Sequence, residues 1–268
     1  MSRGMQGFRA SVRHAAMLIG TTVRASFALR GAFWVSAVFM ALNNALFFMT
    51  WWILMGRFGR IGGWRLEDVM CLFGISASGF GLAVIFAGGS LDLAQKVYDG
   101  ELDGWLTQPK SVLVQALGSR TQTSGWGDVA SGGVLIAMSE CVSWQTLPLA
   151  LVGILCAFST LVACGVVAHS LAFWLGQTQS LSRSIFEFTV TFSVYPPSLF
   201  DARLKLLLFT LLPAGFISYL PMELLRAPHP LTLLACVGGS ALYATASVAL
   251  FNRGLRRYAS GSRFGVRA

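Results

Sequence analysis

Residues 147–174 form the stretch LPLALVGILCAFSTLVACGVVAHSLAFW. It contains no Asp, Glu, Lys or Arg. It is also longer than the roughly 20 apolar residues that a helix needs to cross the hydrocarbon core of a bilayer. An uncharged run of this length is typical of a transmembrane helix. The sequence therefore predicts an integral membrane protein with helical spans.

The composition of the whole chain agrees with this prediction. Of its 268 residues, 55% are hydrophobic and only 12% are charged, whereas a soluble domain carries about 25% charged residues. The five cysteines show no paired spacing, which excludes a disulfide scaffold, and the high hydrophobicity excludes intrinsic disorder. We therefore interpret the net charge of +9 by its position along the chain and not as a nucleic-acid signature.

The apolar runs predict an all-α fold of about six spans in a membrane domain over 31–252. The spans are predicted at about 31–55, 69–91, 126–143, 147–174, 185–200 and 231–251. Residues 1–30 contain arginines beside apolar residues at helical spacing, which predicts an amphipathic helix in the membrane interface. An ordinary solvated helix is the alternative there. A basic tail follows at 253–268.

The least regular part of the predicted topology lies at 201–226, where Pro213, Gly215 and Pro221 interrupt an apolar run. Either 185–200 crosses the membrane and 204–225 dips back as a re-entrant pair of half-helices, or the reverse holds. Such breaks are tolerated only where protein or water covers the free backbone groups. We favour the first option, and both leave the two termini on one side.

Basic residues are distributed unequally between the two sides of this topology. Fourteen Lys and Arg fall in 1–30, in the 92–125 loop, in 175–184 and in the tail, against six in the opposite segments. By the positive-inside rule, the side with more basic residues faces the cytoplasm. The sequence therefore predicts that both termini are cytoplasmic.

The chain has little capacity for catalysis of its own. A nucleotide-binding Walker loop needs Gly-Lys followed by Ser or Thr, and none of the three lysines follows a glycine. An intramembrane serine protease is a remote alternative, based on Ser76 and His169 in two spans; small residues such as Gly74 and Ser78 more often permit close helix packing. A secondary transporter or channel without an ATPase is the second alternative, but it would favour broken helices in matching halves.

Polar residues inside spans are costly, and they line a pathway or join helices by hydrogen bonds. The candidates for a pathway are Asn43, Asn44, His169 and Glu187. Two further carboxylates, Asp128 and Glu140, lie near predicted span ends, where we expect them to reach water.

The loop at 98–109 combines acids with apolar residues and reads YDGELDGWLTQP. This pattern predicts a short amphipathic helix, bounded by Gly100 and Pro109, that docks onto another protein. The residues that we expect to take part are Tyr98, Asp99, Gly100, Glu101, Leu102, Asp103, Leu106 and Pro109. Leu102 and Leu106, four residues apart, would share the docking face.

The strings GELDGWLTQP (100–109), YPPSLF (195–200) and LPAGFISYLP (212–221) occur in this order, and together they resemble the ABC-2 type permease family. The resemblance implies a multi-pass subunit of an ABC exporter in a bacterial inner membrane. Its partners would be a cytoplasmic ATP-binding subunit and a second homologous permease. ATP and magnesium would bind to that ATPase, with no cofactor in this chain, and the 98–109 loop would act as the coupling helix.

Overall fold

The computed structural model describes residues 2–258, and every regular element in this range is helical. The α-helices are α1 Ser2–Ser26, α2 Arg30–Phe58, α3 Leu66–Ala87, α4 Leu93–Asp99, α5 Asp103–Leu106, α6 Val112–Gly118, α7 Gly125–Met138, α8 Leu147–Ser170, α9 Ala172–Leu175, α10 Gln179–Ser193, α11 Ala202–Thr210, α12 Leu220–Arg226 and α13 Pro230–Leu255. Two 3₁₀ turns, Gly88–Asp92 and Pro197–Leu199, and one π-helix, Gly215–Tyr219, complete the described range. The predicted all-α class is confirmed.

Within residues 2–258, four helical stretches are long and apolar enough to cross a membrane, or five if a bent pair counts as one span. They are α2, α3 continued through α4, α8 continued through α9, and α13, and the bent pair is α11 with the helix that follows it. The other two predicted spans correspond to α7 and α10, of 14 and 15 residues, which are short of the usual span of about 20. The count of six therefore stays a prediction.

Helix bounds differ most from the sequence-based ones at α10. This helix begins at Gln179 and ends at Ser193, whereas the apolar run is 185–200. It ends early because Pro196 and Pro197 follow, and proline provides no backbone N–H and disfavours helix in the residue before it. The start of α10 was not predicted because residues 179–184 are mostly polar and lie outside the apolar run.

Small residues bring α3 and α2 into close contact with α7. A Cβ atom added to Gly132 would lie 2.6 Å from the carbonyl oxygen of Gly74 and closer still to the Ser78 hydroxyl oxygen. On α2, Ala37 lies against Gly127 in the same way. The prediction that Gly74 and Ser78 permit close helix packing is confirmed, since only small residues allow helix backbones to approach this closely.

The basic segments gather at one end of the helices, which we call the basic end. There Leu18 of α1 lies against Gly118 of α6. The Nε2 of Gln179 donates a hydrogen bond of 3.1 Å to the carbonyl oxygen of Leu91. Helix α1 is present, but the side chains of 1–12 and of His14 lie outside the described residues, so its position in the interface stays a prediction. Residues 259–268 of the predicted tail also lie outside them.

The opposite end carries the loops before α3, after α10 and after α12. An ion pair of 2.8 Å joins Arg226 to Asp68, and the Arg226 guanidinium lies 3.8 Å from the ring centre of Trp64. Gly62 lies against Ser198. These contacts fix the C-terminal end of α12 beside the N-terminal end of α3.

Between α10 and α13 the chain makes a sharp bend. The axes of α11 and of the following helix differ by 87°, and Pro213 stands at the break. The Tyr243 hydroxyl donates to the carbonyl oxygen of Leu211 over 3.4 Å, and the Ser218 hydroxyl donates to that of Ser193 over 2.6 Å. Tyr243 lies midway along α13, so the bend sits deep among the helices.

Candidate functional site

Two neighbouring cavities lie between the helices. The first, of about 400 Å³, which we call the apolar cavity, is lined by Met40, Asn43, Asn44, Phe47, Phe73, Ser76, Ala77, Phe80, Asp128, Leu161, Val190, Thr191, Ser193, Val194 and Tyr195. The second, of about 650 Å³, which we call the polar cavity, is lined by Phe80, Leu91, Asp92, Arg120, Gln122, His169, Gln179, Arg183, Phe186, Glu187, Val190 and Thr191. Because Phe80, Val190 and Thr191 belong to both linings, the two cavities adjoin.

All four residues that the sequence proposed for a pathway line one of these cavities. Asn43 and Asn44 line the apolar cavity, and His169 and Glu187 line the polar cavity. The structure therefore brings residues from α2, α8 and α10 to two adjoining cavities, which sequence separation alone does not show.

At the wall of the apolar cavity, a hydrogen-bonded cluster links α2 to α7. The Nδ2 of Asn44 donates to Oδ1 of Asp128 and to Oγ of Ser131, each over 2.8 Å. Asp128 is only 3% exposed, so the expectation that it reaches water is wrong. Close packing of α7 against α2 and α3 covers its side chain. Its Oδ2 has no hydrogen-bond partner among the described residues.

His169 and Glu187 differ in their surroundings. His169 is 1% exposed, and its Nδ1 lies 2.9 Å from the carbonyl oxygen of Gly165 in the same helix. Glu187 is exposed and forms a 3.1 Å ion pair with Arg183 one turn earlier. A second ion pair in the polar cavity joins Arg120 to Asp92 over 2.6 Å. Each of these two carboxylates in the polar cavity is thus paired with an arginine.

Ser76 forms hydrogen bonds that do not suit a nucleophile. Its hydroxyl donates to the Ser193 hydroxyl over 2.9 Å and contacts the Ser193 carbonyl oxygen. His169, the histidine proposed to act with it, bonds within its own helix and lines the other cavity. The geometry thus joins α3 to α10 and gives no support to the protease alternative.

The 98–109 loop folds as parts of two short helices. Helix α4 ends at Asp99 because Gly100 adopts φ +79°, a left-handed conformation that glycine adopts without strain. The expected docking helix between Gly100 and Pro109 is a single turn, Asp103–Leu106.

The two leucines of this loop do not share a docking face, and the sequence-based expectation for Leu102 is wrong. Leu102 is 0% exposed, whereas Leu106 is 47% exposed. Leu102 packs in a cluster of buried apolar residues, which we call the loop cluster, with Leu93, Ala94, Val97, Val112, Leu113, Ala116, Val166, Ala172 and Phe251. Its side chain is therefore unavailable to a partner protein.

Other contacts attach the same loop to Tyr258, which follows α13. The Lys96 ammonium lies 5.9 Å from the ring centre of Trp105. Burial and the neighbouring Asp103 carboxylate raise the pKa of Tyr258 to about 12, so this phenol stays neutral at physiological pH. The Tyr258 ring centre lies 6.2 Å from that of Phe173. The loop thus rests on the ends of α8 and α13.

Comparison with known families identifies the chain. A family model described as "ABC-2 family transporter protein" matches residues 41–262, which is most of the chain and includes the loop cluster and every residue that lines the two cavities except Met40. The match confirms the resemblance carried by the three sequence strings. No curated protein and no solved structure shows a significant match.

Proposed function

The chain belongs to the ABC-2 transporter family and is a membrane permease of an ABC system; we propose that it is an export subunit driven by a separate cytoplasmic ATPase. The chain has no Gly-Lys pair with which to hold a nucleotide phosphate. ATP and magnesium would therefore bind to the partner subunit. A second homologous permease would complete the membrane-embedded part.

The orientation that we propose places the basic end in the cytoplasm of a bacterial inner membrane. It is supported by the fourteen basic residues predicted on that side against six on the other. The opposite end, with Arg226, Asp68 and Trp64, would then face outward. The ATPase would approach from the basic end.

The observation that carries the proposal is the two-sided character of the 98–109 loop. Its outer face exposes Tyr98, Asp99, Glu101, Leu106 and Pro109, a mixture of acids and apolar groups that suits a protein interface. Leu102 on its inner face is fully buried in the loop cluster. A loop built in this way can bind a partner on one side and transmit its motion to the spans on the other.

Motion of the loop would reach the cavities through α3, α8 and α13. The loop cluster includes Val166 of α8 and Phe251 of α13, and α4 follows α3 after the single 3₁₀ turn Gly88–Asp92. Closure of the ATPases would then shift the population between inward-open and outward-open states of the cavities.

The bent region would control the outward end of this path as a re-entrant pair. Non-helical backbone within a membrane is tolerated only where protein covers it, and Tyr243 and Ser193 contact this region. Pro213, Gly215 and Pro221 mark the segments that would move. We retain the first sequence-based option, in which α10 crosses and 204–225 re-enters, as part of this proposal.

The test compares Leu106→Asp with Leu199→Asp, because the two leucines are 47% and 45% exposed at opposite ends. Burial of a leucine in an interface contributes roughly 1.5–3 kcal/mol. We therefore expect Leu106→Asp to weaken ATPase binding by at least about tenfold in a pull-down from membranes matched for permease level. Leu199→Asp should leave binding unchanged.

Normal ATPase recovery and normal transport-linked ATP turnover with Leu106→Asp would contradict the proposed docking face. Failure of any ATP-binding subunit to co-purify with the wild-type chain would contradict the ATPase-driven mechanism itself. It would favour a secondary transporter or channel.

A further inference from the structure

We propose that Cys71 and Cys141 are a dithiol site that is oxidised to a disulfide at the end of the molecule opposite the basic end. Cys71 lies in the second turn of α3, and Cys141 lies in the connection between α7 and α8. Each thiol has the other as a hydrogen-bond partner. The two thiols are thus neighbours, although they are far apart in the sequence.

The close approach of α3 and α7 brings the two cysteines together. A Cβ atom added to Gly74, one turn after Cys71, would lie 2.7 Å from Cγ1 of Ile136 and 2.8 Å from the carbonyl oxygen of Gly132. Cys71 is a member of the buried apolar cluster against which Cys141 packs. The end of α7 therefore lies beside the start of α3, and the connection that follows α7 brings Cys141 to Cys71.

The two cysteines differ in their access to solvent, and this difference gives them separate roles. Cys71 is 0% exposed, whereas Cys141 is partly exposed and follows the exposed Glu140. Cys141 also lies close enough to Asp68 and Arg226 to interact with them electrostatically, and these two residues form the ion pair of this end. An oxidant can therefore reach Cys141 from the aqueous side, and Cys71 needs to contact only Cys141.

A second pair of thiols shows what distinguishes the first. Cys156 of α8 and Cys236 of α13 are also hydrogen-bond partners of each other. They are 5% and 0% exposed, and they lie within helices that are long and apolar enough to cross a membrane. A water-soluble oxidant has no partly exposed thiol to attack there. This pair is a matched control within the same chain.

The reaction is thiol–disulfide exchange with an oxidant of the disulfide class, RSSR. The Cys141 thiolate, which is the nucleophilic form, attacks one sulfur of RSSR and displaces RS⁻, which takes up the proton that Cys141 has lost. The Cys71 thiolate then attacks the Cys141 sulfur of the mixed disulfide, and the second RS⁻ takes up the proton of Cys71. Two protein thiols and one RSSR thus give one protein disulfide and two RSH.

In a cell, this oxidation rests on the proposed function, which orients this end of the chain outward. The bacterial periplasm is an oxidising compartment in which disulfides form and persist. The bond would join α3, which lines the apolar cavity with Phe73 and Ser76, to the end of α7, which lines it with Asp128. It would therefore limit how far these two helices can separate at the outer end.

Counting thiols in the purified full chain would test the proposal. The chain in nanodiscs would be incubated with oxidised glutathione, and the remaining thiols would be alkylated under denaturing conditions and counted from the intact mass. Of its five free cysteines, we expect the wild-type chain to keep three thiols. Cys141→Ala should keep all four of its thiols. Cys71→Ala should keep three and carry one glutathione, because no second thiol displaces it. Cys156→Ala/Cys236→Ala should still lose two.

Thermal unfolding would test the link between the helices. A disulfide typically stabilises a protein by constraining the unfolded chain, so we expect the oxidised wild-type chain to unfold at least about 4 °C above the reduced one. Cys141→Ala should unfold at the same temperature with and without oxidant. Equal unfolding temperatures for the oxidised and reduced wild-type chain would overturn the proposed restraint on α3 and α7.

A wild-type chain that keeps five thiols, or a loss of two thiols from Cys141→Ala, would overturn the proposed site. These two results decide the question even if Cys71→Ala does not fold. The same alkylation in intact cells tests the orientation separately. A pair that is oxidised in nanodiscs but reduced in cells would contradict the outward placement of this end and leave the site in place. Because thiol counting requires no ATPase, its outcome is independent of ATPase recovery.

Discussion

Shortening Leu102 to alanine should destabilise the protein, whereas the same change at Leu106 should not. Leu102 is 0% exposed and packs in the loop cluster with residues of α4, α6, α8 and α13. Leu106, four residues later, is 47% exposed and is not a member of that cluster. The pair therefore compares a buried and an exposed leucine in one short loop.

The expected magnitudes follow from burial. Leu→Ala in a packed core costs about 2–5 kcal/mol, through lost transfer free energy and the cavity that remains. A substitution at an exposed position usually changes the free energy of unfolding by less than about 0.5 kcal/mol. Leu102→Ala should thus lower the free energy of unfolding by at least about 1.5 kcal/mol more than Leu106→Ala.

Thermal unfolding of the two variants in the same detergent, together with their folded yield from membranes, would measure this difference. Leu102→Ala should unfold at a clearly lower temperature than the wild-type protein. Equal unfolding temperatures for Leu102→Ala and Leu106→Ala would refute the packing assigned to the loop. A loss of ATPase binding by Leu102→Ala at full stability would instead restore Leu102 as a docking residue.

Three other predictions address packing, orientation and energy source. Gly132→Leu should reduce folded yield because a Cβ there meets Gly74 and Ser78, whereas Gly133→Leu, with open space around it, should be tolerated; size-exclusion chromatography compares them. In a cysteine-free background an impermeant maleimide should label Trp144→Cys from outside the cell and should not label Gln108→Cys. The purified permease alone should not hydrolyse ATP. If ATP turnover stays with the permease after contaminating ATPases have been removed, that result would contradict a separate motor subunit.

Sequence patterns predicted where the helices lie better than they predicted which residues pack against each other. The apolar runs located α2, α3, α8 and α13 because the hydrocarbon core requires long uncharged helices whatever packs against them. The burial of Leu102 and the exposure of Leu106 could not be predicted from the sequence. Spacing of four residues places two side chains on one helical face only within a continuous helix. Helix α4 ends at Asp99, just before Gly100, and only the single turn Asp103–Leu106 follows in this loop.

Asp128, in the candidate site, is a second residue whose neighbours the sequence did not predict. A carboxylate at the third residue of the weakly apolar segment 126–143 indicates a span end, where water is near. What buries it is the approach of α2 and α3 to α7, permitted by Gly127 and Gly132. The glycines around Asp128 were the available signal, because small residues indicate close helix contacts. They indicate neither which helix approaches nor that Asn44 is the partner.

The loop cluster and the polar cavity meet on α8, and this juxtaposition suggests how docking could control access. Val166 belongs to the loop cluster, and His169, three residues later, lines the polar cavity. The Ser182 hydroxyl of α10 donates to the carbonyl oxygen of Ala168 over 2.8 Å, so α10 is attached to the same turn. We infer that a displacement of the loop that carries Leu102 would move this turn of α8 and, with it, α10. Because α10 contributes walls to both cavities through Val190 and Thr191, the two cavities would change shape together.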